Sequence, residues 1–230
     1  MKFINLIGIE LEGGWIKPPA GLQDDGSIDL ADYWTPSCGC GDFRCQCHDK
    51  HECDIDHLNE KPRLVEGEMV SPPLKLLDVA DWITTYYPNY FNKSCGFHIH
   101  ISFFRNSDYS RLMNWNFYKH FRYWMRKWGE DMKFPPEHEF WCRFEGDNRH
   151  CRDTFRPEEQ VFLTRKRPVR YSHLNFCWGL HKTLECRLFP MFNKPAEAIE
   201  ATLSFVACVE DILTKTKDRS QKEFDLVITV

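Results

Sequence analysis

Four short stretches of the chain alternate apolar and ionisable residues, and that alternation limits what it can fold into: a sheet with one dry face and one charged face. In an extended strand alternate side chains share a face, and two residues advance about 6.8 Å. In "FINLIGIELEGG" (3–14), Ile7, Ile9 and Leu11 therefore point one way and Glu10 and Glu12 the other. "RLVEGEMV" (63–70) places Glu66 and Glu68 on one face. "CGFHIHISFF" (95–104) sets His98 and His100 opposite Phe97, Ile99 and Ile101. "LHKTLECRLF" (180–189) sets Glu185 and Arg187 against Leu184, Cys186 and Leu188. Two carboxylates about 6.8 Å apart repel by roughly 2.4 kcal/mol at an effective dielectric near 20, so on an inner face they need a cation.

A solvated sheet face would mix Lys, Thr, Ser and Gln. Here every paired position is Glu, His or Arg, the groups that hold divalent metals and anionic oxygens. Four Glu and two His suit one or two hard cations, Mg²⁺ or Mn²⁺ at a nucleotide site, better than a closed zinc cage. Arg187, two residues from Glu185, adds a permanent bidentate charge suited to a phosphoryl group in transfer. No Walker-type Gly-rich loop occurs, so a nucleotide would rest on the metals and this sheet face.

The remaining pattern describes one α+β domain. The chain has 230 residues, enough for one large core. "SPPLKLLDVADWITTYY" predicts a helix capped by Ser71, with Leu74, Leu77 and Ile83 on its stripe. Residues 108–128 predict an aromatic helix, 142–170 a polar basic loop, and 193–213 an amphipathic helix carrying Ile199, Leu203, Val206 and Leu213. The net charge of −4 argues against nucleic acid, and no run approaches a membrane span. "MKFINLIGIELEGG" lacks a signal-peptide pattern, so the expected location is the cytoplasm, with the eleven cysteines reduced.

The ordered set "GIELEGG", "DDGSIDL", "GEMVSPPL", "CGFHIHIS", "RYSHLNF" and "KTLECRLFP" resembles the amidoligase branch of the glutamine synthetase and glutamate–cysteine ligase superfamily, over about residues 4–213. The resemblance implies an ATP-dependent carboxylate–amine ligase that joins a small-molecule or peptide carboxylate to an amine through an acyl phosphate. The implied fold is a curved, mainly antiparallel sheet with helices on its convex face. It further implies that Glu10, His98 and Glu185 hold the metal bridging the ATP phosphates, and that Glu12, Glu68 and Glu66 hold a second one. His100 would lie near the phosphates and Arg187 would steady the phosphate in transfer. Arg170 and Asn175 would line the substrate or phosphate side, and Asp25 would bind the amine or act as base. On this reading Glu185→Gln, by relieving carboxylate repulsion, is expected to leave metal-free stability unchanged or improved.

Between "DGS" and "SPPL" the chain carries an insertion, residues 35–62, almost without aliphatic side chains. Cys38, Cys40, Cys45, Cys47, Cys53, His48, His51 and His57 form a ligand-dense set for structural Zn²⁺. The C-x-C spacing is not that of a standard finger. Two rival functions remain: a metal-dependent hydrolase or oxygenase built on His98 and His100, and a zinc-stabilised nucleic-acid-binding protein using "RKRPVR" (165–170) and the aromatics. Nothing in the sequence sets an oligomeric state.

Overall fold

The computed structural model describes residues 1–34, 62–160 and 171–216. Its centre is a five-stranded sheet in the order β2-β1-β3-β5-β4, antiparallel between every pair of neighbours. The strands are β1 (Ile4–Trp15), β2 (Val65–Val70), β3 (Gly96–Phe103), β4 (Leu174–Cys177) and β5 (Thr183–Pro190). The longest, β1 and β3, lie side by side near the middle, where the alternation was clearest. The edge strand β4, only four residues long, is the one that periodicity did not find; four residues are too few to establish a period of two.

The apolar face is dry. Ile7, Ile9, Leu11, Phe97, Ile99, Ile101, Leu174, Phe176, Leu184 and Cys186 are all fully buried. They share one core with side chains from the helices α1 (Leu76–Tyr86), α3 (Trp115–Asp131), α4 (Glu139–Glu145) and α7 (Pro195–Lys215). Phe121 meets Phe205 edge-on, and Trp128 meets Phe189 in the same way, which ties α3 to α7 and to the sheet. Each such buried large side chain contributes roughly 1.5–3 kcal/mol. Shorter helices are α2 (Asn106–Ser110), α5 (Pro157–Gln160) and α6 (Trp178–His181).

Three local expectations are corrected. Ser71 does not cap a helix: its hydroxyl accepts from the Ile9 amide at 2.9 Å, and Leu74 exchanges backbone hydrogen bonds with Ile7. Pro72 and Pro73 disfavour helical backbone in the residues before them, so Ser71 and Leu74 bond to β1 instead and α1 starts at Leu76. The aromatic helix is two helices, because the Asn114 side chain caps a new one by accepting from the Phe117 amide at 3.0 Å. The stretch read as a loop from 142 contains most of α4, closed by Gly146 at φ +83°, and all of α5.

One irregularity positions the site. Phe97 pairs with Phe189 and Ile99 with Cys186, so Arg187 and Leu188 together stand opposite His98. This β-bulge lets Phe189 return to the dry face beside Phe97 while Arg187 stays next to Glu185. The Arg187 amide donates to the His173 carbonyl at 2.9 Å, which pins the bulge.

Candidate metal and anion site

The register carries the charged residues into one array across four strands. Glu12 stands opposite Glu68, Glu10 opposite His98, and Glu185 between His100 and Asn175. The array is well shielded: Glu12, His98, Glu185 and Arg187 are buried. Gly96 makes room for it. A Cβ there would lie 2.5 Å from His98 Nε2, and its amide donates to Glu12 Oε2 at 2.5 Å.

The side chains form three overlapping groups whose ligand atoms lie within 4.8 Å of one another: Glu10–Glu68–His98, Glu10–His100–Glu185 and Glu12–Asp25–Glu68. His98 Nδ1 sits 3.0 Å from Glu10 Oε2, and His98 Nε2 3.6 Å from Glu12 Oε1. His100 Nε2 lies 3.0 Å from Glu10 Oε1 and 3.8 Å from Glu185 Oε1. It nonetheless makes no aligned hydrogen bond. A buried imidazole nitrogen aimed between two carboxylates, with poor hydrogen-bond geometry, is a donor set that fits a divalent cation. Arg187 Nη1 donates to Glu185 Oε1 at 2.8 Å while its buried Nε has no hydrogen-bond partner among the described residues, which fits an anionic oxygen.

The electrostatics divide the carboxylates into two kinds. Burial works to raise the Glu10 pKa, but His100 and then His98 hold it well below the ordinary carboxylate range. Burial likewise opposes ionisation of Glu185, and Arg187 and His100 overcome it, giving a pKa of about 2. His100 is raised to about 9: burial alone would lower it, and Glu10 outweighs that effect. Glu68 has no such cation. Burial, then Glu10, Glu12 and Asp25, push it up to about 8. Both shifts favour the protonated form at neutral pH, for Glu68 through burial and its acidic neighbours and for His100 through Glu10.

The structure regroups several residues singled out in the sequence. His98 and Glu185 fall in different groups, and His100 takes its place beside Glu185. Among the described residues His98 and His100 fall in different groups, both of which contain Glu10. Asp25 joins Glu12 and Glu68. Glu66 is exposed, opposite Gly14, and enters none of these groups. Asn175 is buried and its amide donates to Glu185 Oε2 at 3.0 Å. Arg170 lies outside the described residues, as do Cys38, Cys40, Cys45, Cys47, Cys53, His48, His51 and His57. The expectation that Glu185→Gln would relieve repulsion is overturned, because Glu185 is held by Arg187 and Asn175 as an ionised acceptor.

Residues that periodicity did not single out also surround the array. Cys177 donates to Glu185 Oε2 at 3.5 Å, and Thr183 Oγ1 lies 3.0 Å from His100 Nδ1. His181 stands edge-on to His100. Each comes from β4, α6 or β5, and only the folded chain brings them to His100 and Glu185.

Of two cavities among the described residues, one opens onto the array. It has a volume of about 440 Å³ and is lined by Gly8, Glu10, Val70, Pro73, His100, Ser102, His181 and Thr183. Gly8 floors it, since a Cβ there would press to 3.2 Å from His100 Cβ. The other, about 600 Å³, has the charged and polar residues Asp29, Lys93, Glu139, Asp147, Arg149 and His150 in its wall.

Comparison with protein-family models, with curated proteins and with solved structures finds no match. Among the described residues no helix is long and apolar enough to cross a membrane.

Proposed function

We propose that the protein is an ATP-dependent carboxylate–amine ligase of the amidoligase type, with a catalytic sheet of glutamine synthetase kind and the Cys/His-rich insertion as a zinc-binding elaboration. The observation that carries the reading is that Glu10 belongs to two ligand groups at once, Glu10–Glu68–His98 and Glu10–His100–Glu185. Two adjacent cation positions sharing a carboxylate, with the fork of Arg187 beside one of them, suit a polyphosphate whose terminal group is transferred.

In this reading Glu10, His100 and Glu185 hold one Mg²⁺ or Mn²⁺, and Glu68, His98 and Glu10 hold another, with Glu12 and Asp25 adjoining. Bound there, the ions would neutralise the phosphate charges and polarise the phosphorus toward attack. The 440 Å³ cavity beside His100 accommodates the nucleotide. The carboxylate and amine partners would be small molecules or peptides. Arg187 keeps one N–H on Glu185 and offers its free Nε to the phosphoryl oxygens. The substrate carboxylate attacks the γ-phosphorus, ADP leaves, and an amine displaces phosphate from the acyl phosphate. The proton that the amine sheds goes to a carboxylate at the Glu12–Asp25–Glu68 end.

Phosphate release should require ATP, divalent metal, a carboxylate and an amine together. Screening amino acids, peptides and polyamines by mass spectrometry should return an amide and ADP. Formation of AMP and pyrophosphate would contradict the acyl-phosphate route.

A further inference from the structure

Besides its direct bonds from Arg187 and Cys177, Glu185 accepts a hydrogen bond whose polarity is set from three hydrogen bonds away. Asparagine and glutamine amides can be turned either way round without changing shape, so their polarity has to be read from a partner whose role is fixed. Phe176 supplies one. Its backbone N–H can only donate, and it donates to Gln160 Oε1 at 3.1 Å. Gln160 Nε2 must then face the other way, where it donates to Asn175 Oδ1 at 2.8 Å and to Ser172 Oγ at 3.3 Å. That fixes Asn175 in turn, so its Nδ2 donates to Glu185 Oε2 at 3.0 Å. Gln160 and Asn175 are each only 2% exposed, so water does not easily substitute for a lost partner.

We propose that Gln160 is a positioning residue for the cation site formed by Glu10, His100 and Glu185, acting by dictating which way round the Asn175 amide lies. With Oε2 held by Asn175, the other oxygen of Glu185, Oε1, is turned toward Arg187 and His100. Were Asn175 reversed, its Oδ1 would confront the Glu185 carboxylate and turn Oε1 off the site. The inference rests on the metal-site reading of the preceding section, but the amide polarity it describes exists with or without metal. Among the described residues the chain of hydrogen bonds from Gln160 through Asn175 ends on Glu185.

Gln160→Glu keeps the acceptor for Phe176 and replaces the donor with a second acceptor, which sets the present orientation of Asn175 against a carboxylate oxygen. Mn²⁺ titration followed by electron paramagnetic resonance should show two sites in the wild-type chain. In Gln160→Glu one should weaken by about tenfold or more, the usual effect of removing a partner that orients a metal ligand. The other should stay unchanged. Gln160→Met, which removes the donor without imposing an acceptor, should weaken the same site to a smaller extent. Equal weakening of both sites would mark a merely structural glutamine and overturn the proposal, and so would wild-type binding in Gln160→Glu. If the wild-type chain binds no Mn²⁺, the metal-site reading fails. The positioning claim is then decided on metal-free protein by the Asn175 side-chain amide resonances. A shift in Gln160→Met upholds it, and unchanged resonances overturn it.

Discussion

Glu185→Gln is expected to destabilise the metal-free protein by about 3–5 kcal/mol, the usual consequence of removing one partner from a buried ion pair. Arg187 would remain buried with its Nη1 facing a neutral amide instead of the carboxylate oxygen it now holds at 2.8 Å. Glu68→Gln is expected to do the opposite. Glu68 sits against Glu10, Glu12 and Asp25 with a pKa raised to about 8. A neutral amide there should stabilise the metal-free fold by up to about 3 kcal/mol at pH 7, the free energy released when an unfolded glutamate ionises and the folded one does not. Both variants should lose metal-dependent activity. Thermal unfolding in chelator measures the contrast, and equal shifts of the same sign would show that the two carboxylates do not play the separate roles assigned to them.

The second large effect is a coupling between metal and protons. Groups raised by folding contribute stability at low pH and lose it as pH rises. For Glu68 that loss runs from about 4.5 to about 8, and for His100 from about 6.5 to about 9. Glu185, whose pKa is lowered to about 2, contributes stability above about 4.5 and loses it as pH falls toward 2. The metal-free protein should therefore be most stable in weak acid and soften toward pH 9. A divalent ion must displace the protons of His100 and Glu68, so each site should gain about tenfold in affinity per pH unit while its group is still protonated. The gain should end near pH 9 at the His100 site and near pH 8 at the Glu68 site. Calorimetric titration with Mn²⁺ in buffers of different ionisation enthalpy would count the protons released. Affinity independent of pH between 6 and 8 would exclude the proposed ligands.

How much of this was visible in the sequence depended on how local each cause is. Alternation is a property of consecutive residues, so the dry face of Ile7, Ile9 and Leu11 and the charged face of Glu10, Glu12, His98 and His100 could be read directly. The pairing of Glu10 with His98 and of Glu185 with His100 depends on strand order and register, which periodicity does not contain. The bulge at Arg187 also escapes it, because an extra residue in β5 is visible only against its partner in β3. Gln160 lay in a segment read as loop, and its role passes through Asn175 to a residue 25 positions away in the chain. Glu66 shows the converse error: it shares the face of Glu68 by period, yet stands near the outer end of an edge strand, opposite Gly14, where it remains exposed. Ser71 had the composition of a cap, but β1 offered its hydroxyl a better partner.

The zinc assignment stands on composition alone, and elemental analysis of protein purified without added metal should find at least one Zn²⁺ per chain. Cysteines paired in disulfides, with no zinc present, would contradict it. The central claim is tested most directly with a substrate carboxylate labelled with ¹⁸O at both oxygens. Attack on the γ-phosphorus carries one labelled oxygen into the acyl phosphate, and displacement by the amine leaves it in the inorganic phosphate. The account predicts one ¹⁸O per phosphate released, with ADP unlabelled. Label in AMP, or phosphate released with no label while an amide forms, would contradict it.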